Sequence, residues 1–304
     1  MEFRRIDRTA EKDFAPFFLK NRFADTTYAL LYAWGDKFLY SYCKCSSGLI
    51  VKGTGMNQRE AYILIHDKED EQMITDGIEQ LYRYHSSNVG PLIFEYVGEE
   101  EIESYRSAAA RFNCGIQITT EEIYDDYIYD TEEFLSISGK KNRGKRYDVN
   151  HLKNSHPEMC ALRYEDVRPE SCMEIFDRWC ERHSCSDCYF GCEREAFQRF
   201  MSIYDRSRHY IMVSCEGERA VSFAVCEQIN EDTVGYYFQK NAEKVRGLTY
   251  WLNRQMAFEH EQIAYINLAE DMGIPGIVMD KSSLHPCRKQ KKYTVEIVEG
   301  GIDE

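Results

Sequence analysis

Apolar and polar positions alternate along the chain in patterns typical of short helices and strands. Residues 10–35 space their aromatic and aliphatic side chains on one helical face, which predicts helix for that segment. Strands and helices are then predicted in turn, at 38–43, 49–52, 61–65 and 91–97 for strands and at 68–85 and 99–112 for helices. The pattern predicts a first α+β domain over residues 1–130.

The second half of the chain repeats this order. Helices are predicted at 133–152, 170–183, 194–204 and 248–261, and strands at 159–164, 210–215, 220–229, 234–239 and 264–268. The three central strands read as an antiparallel meander whose first turn is Glu216-Gly217-Glu218. We therefore expect a second α+β domain over residues 131–304, with mixed, mostly antiparallel sheets flanked by helices in both domains.

Length and composition agree with a folded protein and narrow its location. The chain has 304 residues, of which 43% are hydrophobic, so it can bury a substantial core. Its N-terminal stretch is charged, and its apolar runs are short, which predicts a cytoplasmic protein without integral membrane contact. Peripheral membrane contact stays open. In a reducing compartment we expect the 12 cysteines to be free thiols.

A dense basic stretch stands out because the whole chain has a formal net charge of -14. Its members lie within seven positions and are Lys140, Lys141, Arg143, Lys145 and Arg146. A second basic group near the end of the chain consists of Arg288, Lys289, Lys291 and Lys292. One interpretation is a cleft wall that binds the phosphates of a donor substrate. The alternative is that both groups are solvated faces offset by nearby acids.

A second candidate anion site lies where the predicted helix 248–261 begins. Lys244, Arg246, Gly247 and Thr249 stand there, and the amides at a helix N-terminus attract phosphate. Their spacing partly resembles the motif with which GNAT-type acyltransferases hold the pyrophosphate of coenzyme A. The alternative is that Gly247 only starts a helix.

Three segments together resemble the family named for the C-terminal domain of phosphatidylglycerol lysyltransferase. They read FADTTYALLYAW at 23–34, YDDYIYDTEEFLSISGKKNRGKRYDVNHL at 124–152 and AYINLAEDMGIPGIVMDKSSLHP at 264–286. The last contains the family's series of Asn, acids, Gly, Gly, Lys and Pro, here Asn267, Glu270, Asp271, Gly273, Gly276, Lys281 and Pro286. Val278 departs from it, since many members have Arg there.

The resemblance implies two tandem GNAT-like domains, with the active cleft in the second. It also implies transfer of an acyl or aminoacyl group from acyl-CoA or aminoacyl-tRNA to a small amine, a peptide or a lipid headgroup. Asn267, Glu270, Asp271 and Lys281 are then the catalytic candidates: an acid as base or amine anchor, and Lys281 as its partner or as a stabiliser of the oxyanion. The alternative is a carboxylate–lysine pair that only holds the turn.

A cysteine cluster offers a competing hypothesis. Cys180, Cys185, Cys188 and Cys192 fall close together beside His183, and two of them have the CxxC spacing that binds one metal ion. No distant second CxxC accompanies them, so we expect free cysteines and no metal. Three functions remain: an acyl or aminoacyl transferase, an inactive binding protein of the same fold, and a metal-binding regulatory protein.

Overall fold

The computed structural model describes residues 1–46, 48–55, 58–67, 71–85, 91–183 and 191–299. Its strands are β1 Arg4–Arg5, β2 Ser41–Lys44, β3 Leu49–Thr54, β4 Glu60–Ile65, β5 Leu92–Val97, β6 Cys114–Thr120, β7 Asp126–Asp130, β8 Met159–Arg163, β9 His209–Glu216, β10 Arg219–Gln228, β11 Thr233–Asn241, β12 Tyr265–Asn267, β13 Arg288–Gln290 and β14 Tyr293–Glu299. Its α-helices are α1 Glu11–Phe14, α2 Tyr28–Ala33, α3 Glu71–Tyr84, α4 Ile102–Ala110, α5 Thr131–Leu135, α6 Arg143–Ser155, α7 Ser171–His183, α8 Glu193–Met201, α9 Leu248–Phe258 and α10 Pro275–Ser282. Within these ranges no helix is both long and apolar enough to cross a bilayer.

The chain divides into two compact units. The first contains Met1–Asp126, Glu270–Met272 and the residues from Gln290 onward, and the second contains Tyr127–Ala269 and Gly273–Lys289. Each unit has its own seven-stranded, mostly antiparallel sheet and its own hydrophobic core. The predicted α+β class, with mixed sheets flanked by helices in two tandem units, is confirmed.

The sheet of the first unit has the strand order β1-β2-β3-β4-β5-β14-β6. Neighbouring strands run antiparallel except β4 and β5, which run parallel and are paired at Tyr62 and Phe94. Helices α3 and α4 cover one face with residues such as Ile78, Leu81 and Ala109, all buried. These apolar positions recur at helical spacing, so burial of one face explains why the segments fold as helices.

The sheet of the second unit has the order β13-β7-β12-β11-β10-β9-β8. Strands β9, β10 and β11 form the predicted meander, and Gly217 turns the chain between the first two with a left-handed φ of 60°. Helix α9 follows and packs Leu252 and Met256 into the core. Strand β12 then runs parallel to β11 from Tyr265 to Asn267, opposite the first residues of β11.

Two helix predictions are wrong in extent. Residues 10–35 contain only the short helices α1 and α2 with 3-10 turns between them, because Pro16 cannot donate and Thr27 adopts an extended conformation that caps α2. The helix predicted at 133–152 is instead α5 and α6. Gly139 has a φ of 75°, and the Asn142 amide donates to the carbonyls of Ser136 and Ser138, which fixes a loop between them.

The observed division also differs from the expected boundary at residue 130. Strand β14 lies inside the first sheet, between β5 and β6, although that boundary would place it in the second domain. Its residues alternate between buried and half-buried, as Tyr293, Val295 and Ile297 face the core. Such period-two burial favours a strand with one face on a core, and the core that these residues join is that of the first unit.

Candidate functional site

Four ionisable side chains meet inside the first unit, and we call them the Lys292 cluster. The ammonium Nζ of Lys292 lies 2.6 Å from Asp25 Oδ2, 2.6 Å from Asp126 Oδ1 and 3.0 Å from Glu270 Oε2. Asp126 has no exposed side-chain surface and Lys292 has 4%, whereas Asp25 and Glu270 have 22% and 20%. The last two therefore form the edge of the cluster that solvent or a substrate can reach.

Separate segments position these groups. Asp25 lies in the 3-10 turn Ala24–Thr26, Asp126 begins β7, and Lys292 immediately precedes β14. Glu270 follows β12 in a loop where Ala269 and Met272 both have left-handed backbones, with φ of 58° and 55°. Non-glycine residues rarely adopt this conformation, and it clusters at functional sites.

The cluster contains more negative than positive charge. An ammonium has three donors, and three carboxylates take them, so with every group ionised the cluster carries two net negative charges. Burial raises the pKa of Asp126 to about 7 and also raises the pKa of Asp25, against the opposing attraction of Lys292. Burial alone would lower the pKa of Lys292, but the carboxylates, led by Asp126, raise it well above its ordinary value.

The four catalytic candidates are arranged around one loop. Asn267 Oδ1 accepts a hydrogen bond of 2.7 Å from the Ala269 amide, and Lys281 Nζ donates to the carbonyls of Leu268 and Ala269 at 2.6 and 3.1 Å. Both side chains thus hold the backbone that leads into Glu270. The carboxylate of Glu270 accepts from Lys292. Asp271 is buried, with 3% exposure.

Two sequence-based expectations change here. The prediction that Lys292 belongs to a phosphate-binding basic group is wrong, because its ammonium is buried among carboxylates. Glu270 and Asp271 are expected in an active cleft of the second domain, yet they belong to the first unit. Of the other late bases, Arg288 lies over the ring of Tyr265 and Lys289 over that of Tyr127, and Lys291 is exposed.

Sequence reasoning missed Asp25 and Asp126 as members of a site. Both stand in segments that support the family resemblance, and both interrupt aromatic runs, FADTTY and YDDYIY. A carboxylate inside a run that reads as buried is costly unless it is paired, which is a signal that marks both as candidates. Nothing in the sequence pattern indicates their shared partner, Lys292, which lies more than 160 residues away from both.

The predicted pyrophosphate residues surround the start of α9. Gly247 caps it with a φ of 81°, and a Cβ added there would lie 2.6 Å from the backbone oxygen of Asp148. Arg246 Nε pairs with Asp148 Oδ1 at 2.7 Å, and the Thr249 hydroxyl accepts from Asn241 at 2.7 Å. Lys244 is exposed. The glycine is therefore required by close packing whether or not a phosphate binds.

The basic stretch forms the loop before α6 and its first turn. Lys141 pairs with Glu133, Lys145 pairs with Asp280, and Arg146 donates to the carbonyls of Ile137 and Gly139. Lys140 and Arg143 are exposed. The first turn of α6 contains no acid, although helix N-termini favour acids over bases. Bases and helix dipole therefore add their positive potentials at one point of the surface.

The cysteine cluster lies partly outside the described residues, since Cys185 and Cys188 fall in 184–190. Of the other members, Cys180 is half-buried in α7 and Cys192 is exposed before α8. Among described residues, three acids bring possible metal ligands within 4.8 Å of one another, namely Asp25, Asp126 and Glu270. The ammonium of Lys292 pairs with all three of these carboxylates.

Comparisons with known proteins agree with this architecture. The sequence profile described as "Phosphatidylglycerol lysyltransferase, C-terminal" matches residues 17–296. A conserved protein of unknown function from Bacteroides thetaiotaomicron is 20% identical with a TM-score of 0.84, covering 98% of this chain and 100% of that one. The C-terminal domain of a putative lysylphosphatidylglycerol synthetase from Agrobacterium fabrum is 14% identical with a TM-score of 0.68, covering 96% and 92%.

A third solved structure, L-PGS from Bacillus licheniformis, is 14% identical with a TM-score of 0.68 and covers 99% of this chain and 94% of that one. At these identities the three structures support the fold alone. Among curated proteins, none matches the chain.

Proposed function

Because the chain belongs to the family described as phosphatidylglycerol lysyltransferase, C-terminal, we propose that it transfers an aminoacyl group from aminoacyl-tRNA to an amine or hydroxyl acceptor. The observation that carries this proposal is the Lys292 cluster. Burial of three carboxylates with one ammonium is costly, and such groups with shifted pKa values occur preferentially at active sites.

The cluster acts as a proton acceptor near neutral pH. With every group ionised it carries two negative charges, and the pKa of about 7 for Asp126 reflects its readiness to take up one proton. A general base works best when its pKa lies near the working pH. Glu270 and Asp25 are the members with the most exposed side-chain surface, so they contact the acceptor. The buried pair Asp126 and Lys292 determines how much negative charge the cluster carries.

In the proposed step, the acceptor nitrogen or oxygen forms a bond to the carbonyl carbon of the aminoacyl ester. The acceptor's proton passes to Glu270 or Asp25, and the ester bond to the ribose breaks. The same carboxylate then gives that proton to the departing ribose oxygen, which leaves as a hydroxyl, and the cluster is ionised again for the next cycle. Asn267 and Lys281 contribute as positioning residues, because they hold the backbone in front of Glu270.

The basic stretch supports tRNA as the donor. Lys140 and Arg143 are exposed at the start of α6, where the helix dipole adds to their positive potential. A protein with a net charge of -14 can bind a polyanion only through such a local patch. Phosphate contacts from this patch position the tRNA without reading its sequence.

Acyl-CoA is the alternative donor, and the start of α9 supports it less well. Asp148 packs against Gly247 and its carboxylate holds Arg246. A pyrophosphate at these amides would therefore meet a neighbouring negative charge, and two of the four expected side chains or turns are already engaged, Arg246 with Asp148 and the Thr249 hydroxyl with Asn241. If coenzyme A binds, it needs Lys244 and the amides of Thr249 and its neighbours to outweigh Asp148.

Filter retention of bulk aminoacyl-tRNA across a salt series tests the donor, with coenzyme A as competitor. We expect retention that weakens steeply with salt, and a double variant K140Q/R143Q whose salt slope is smaller by about 0.7–0.9 for each phosphate that it no longer neutralises. Lys153→Gln is the matched control, because Lys153 is exposed at the other end of the same helix. Salt-insensitive retention, or an equal loss in the control, would exclude the patch. Competition by coenzyme A would favour the alternative.

Loss of labelled aminoacyl ester in the presence of phospholipid vesicles or small amines tests the chemistry. We expect Glu270→Gln to lower turnover by about 100-fold or more, the usual contribution of a general base, with tRNA retention unchanged. Glu261→Gln, an exposed change of the same charge, should leave turnover as it is. Retention without any ester loss in the wild type would make the chain a binding protein. Stoichiometric zinc or iron in the purified protein would favour the cysteine-cluster hypothesis.

A further inference from the structure

A cavity of about 130 Å³ in the first unit borders the Lys292 cluster. Its inner wall is formed by buried residues, Glu95, Lys292 and Tyr293, and its rim by exposed ones, Thr119, Thr120 and Glu121. An engineered cavity of about 150 Å³ holds a benzene molecule, so this one has room for about six non-hydrogen atoms. It can therefore accept a small ligand or the end of a longer one.

The side chains of β5 reach this cavity because the strand is bulged. Opposite β14, Val97 is paired with Tyr293 and Phe94 with Val295, so Glu95 and Tyr96 together face the single residue Thr294. Tyr96 has a left-handed φ of 58° there. A bulge re-aims side chains, and here it brings a carboxylate and an aromatic ring, neighbours in sequence, to one cavity.

The cavity is not built for an anion, although Lys292 lines it. The three N–H donors of Lys292 are taken by Asp25, Asp126 and Glu270, so only its alkyl stem is presented to a ligand. Behind that stem the three carboxylates outweigh one ammonium by two charges. Glu95 in the wall and Glu121 at the rim make the potential more negative. A carboxylate or phosphate entering here would meet repulsion with no donor from Lys292 to offset it.

The aromatic rings give a cation a further reason to bind. Tyr96 and Tyr124 both line the cavity. The ring of Tyr96 already lies 5.8 Å from the Lys292 ammonium, within the range in which ring faces attract cations. Burial, followed by the charge of Asp25, also raises the pKa of Tyr96 well above its ordinary value, which agrees with a negative local field.

We propose that this cavity binds a primary alkyl amine as its ammonium ion, with Glu95 and Glu121 as counter-charges and Tyr96 and Tyr124 against its alkyl chain. The assignment of that ammonium as the non-reacting end of a longer acceptor, whose attacking amine or hydroxyl lies outside the cavity, rests on the proposed function. The binding site itself does not, because it is measured without any donor.

Binding of three probes of matched size, n-butylamine, n-butanol and butyrate, tests the proposal by calorimetry at pH 7. We expect n-butylamine to bind at least about 10-fold more tightly than n-butanol, a difference of about 1.4 kcal/mol, and butyrate not to bind. Equal binding of amine and alcohol would make the cavity merely apolar. Tighter binding of butyrate would mean that Lys292 serves anions, and either result overturns the proposal.

Two variants locate the site. Glu95→Gln removes the buried counter-charge and Glu121→Gln the exposed one, and each should weaken n-butylamine by several-fold while leaving n-butanol unchanged. Glu121→Gln alters an exposed side chain, so it keeps the test valid if Glu95→Gln fails to fold. Glu99→Gln is the control, since Glu99 is exposed in the same unit and does not line the cavity. An equal loss in the control, or no loss in Glu121→Gln, would place the amine elsewhere. Amine binding without ester transfer would sustain this site and refute only the proposed function.

Discussion

Replacing Lys292 by methionine tests whether the cluster is held together as described. Methionine keeps most of the alkyl stem but removes the charge that faces Asp25, Asp126 and Glu270. Removing one partner from a buried ion pair costs about 3–5 kcal/mol, because the remaining charge is left uncompensated. Two of the three carboxylates are about one-fifth exposed, so solvent offsets part of their loss. We therefore expect the lower end, about 3 kcal/mol, at pH 8.

The pH dependence separates this mechanism from ordinary loss of packing. In the variant, the buried carboxylates have folded-state pKa values above their unfolded values, so the folded protein holds protons more tightly. Stability is then retained at low pH and lost as pH rises through the raised pKa values, by up to about 1.4 kcal/mol per pH unit for each proton. The variant should lie closer to wild type at pH 5.5 than at pH 8.

Urea unfolding at the two pH values measures both effects. Lys291→Met is the matched control, because Lys291 is the exposed neighbour in sequence, and it should change the free energy of unfolding by no more than about 0.5 kcal/mol. Adding Asp126→Asn to Lys292→Met should recover part of the loss, since it removes one uncompensated charge. A loss below about 1 kcal/mol that is equal at both pH values would refute the reasoning, and so would simple additivity in the double variant.

Two further predictions concern stability. Gly247→Ala should lower the free energy of unfolding by about 2–4 kcal/mol, because it forces a left-handed alanine and a contact of 2.6 Å with Asp148. Gly144→Ala is the control, since Gly144 lies in a helix with open space around it, and it should raise the free energy of unfolding by about 0.5–1 kcal/mol. Equal thermal midpoints for the two variants would contradict the packing argument. Burial raises the pKa of both Asp126 and Glu227 to about 7, so the free energy of unfolding of the wild type should fall as pH rises from about 4 through 7. Asp126→Asn and Glu227→Gln should each reduce the slope of that fall by the contribution of about one bound proton, as measured by urea unfolding at several pH values. An unchanged slope in both variants would show that neither group is protonated in the folded state.

Much of the second sheet could be predicted from sequence because its signals are local. The strands of the meander alternate β-branched and aromatic residues, and Gly217 marks the turn that joins two of them. The extent of the helices around the basic stretch could not be predicted. It depends on Asn142 and Arg146, whose side chains bind loop carbonyls that the sequence pattern does not specify.

The candidate site shows the limit of sequence reasoning more clearly. Glu270 can be named from the family series, yet that series suggests Lys281, eleven positions away, as its partner. The observed partner, Lys292, is presented by the turn into β14, and that strand belongs to a sheet whose other strands come from the first 120 residues. A contact of this kind is set by sheet pairing, which periodicity alone does not define.

The two units differ in where they bury ionisable groups, although they share a strand order. In each, a meander is followed by a helix and then by a strand parallel to the last meander strand, at β4–α3–β5 and at β11–α9–β12. In the second unit, a neutral amide pair joins the helix to the meander, since Asn253 of α9 donates to Gln239 of β11 at 3.0 Å. In the first, Glu95 stands on the parallel strand itself and Lys292 beside its neighbour β14. A fold needs neither buried charge for stability, since apolar side chains of similar volume would serve as well or better. The second unit buries its carboxylate elsewhere, at Glu227 on β10. The proposed chemistry and the proposed amine site therefore explain Glu95 and Lys292 better than stability does.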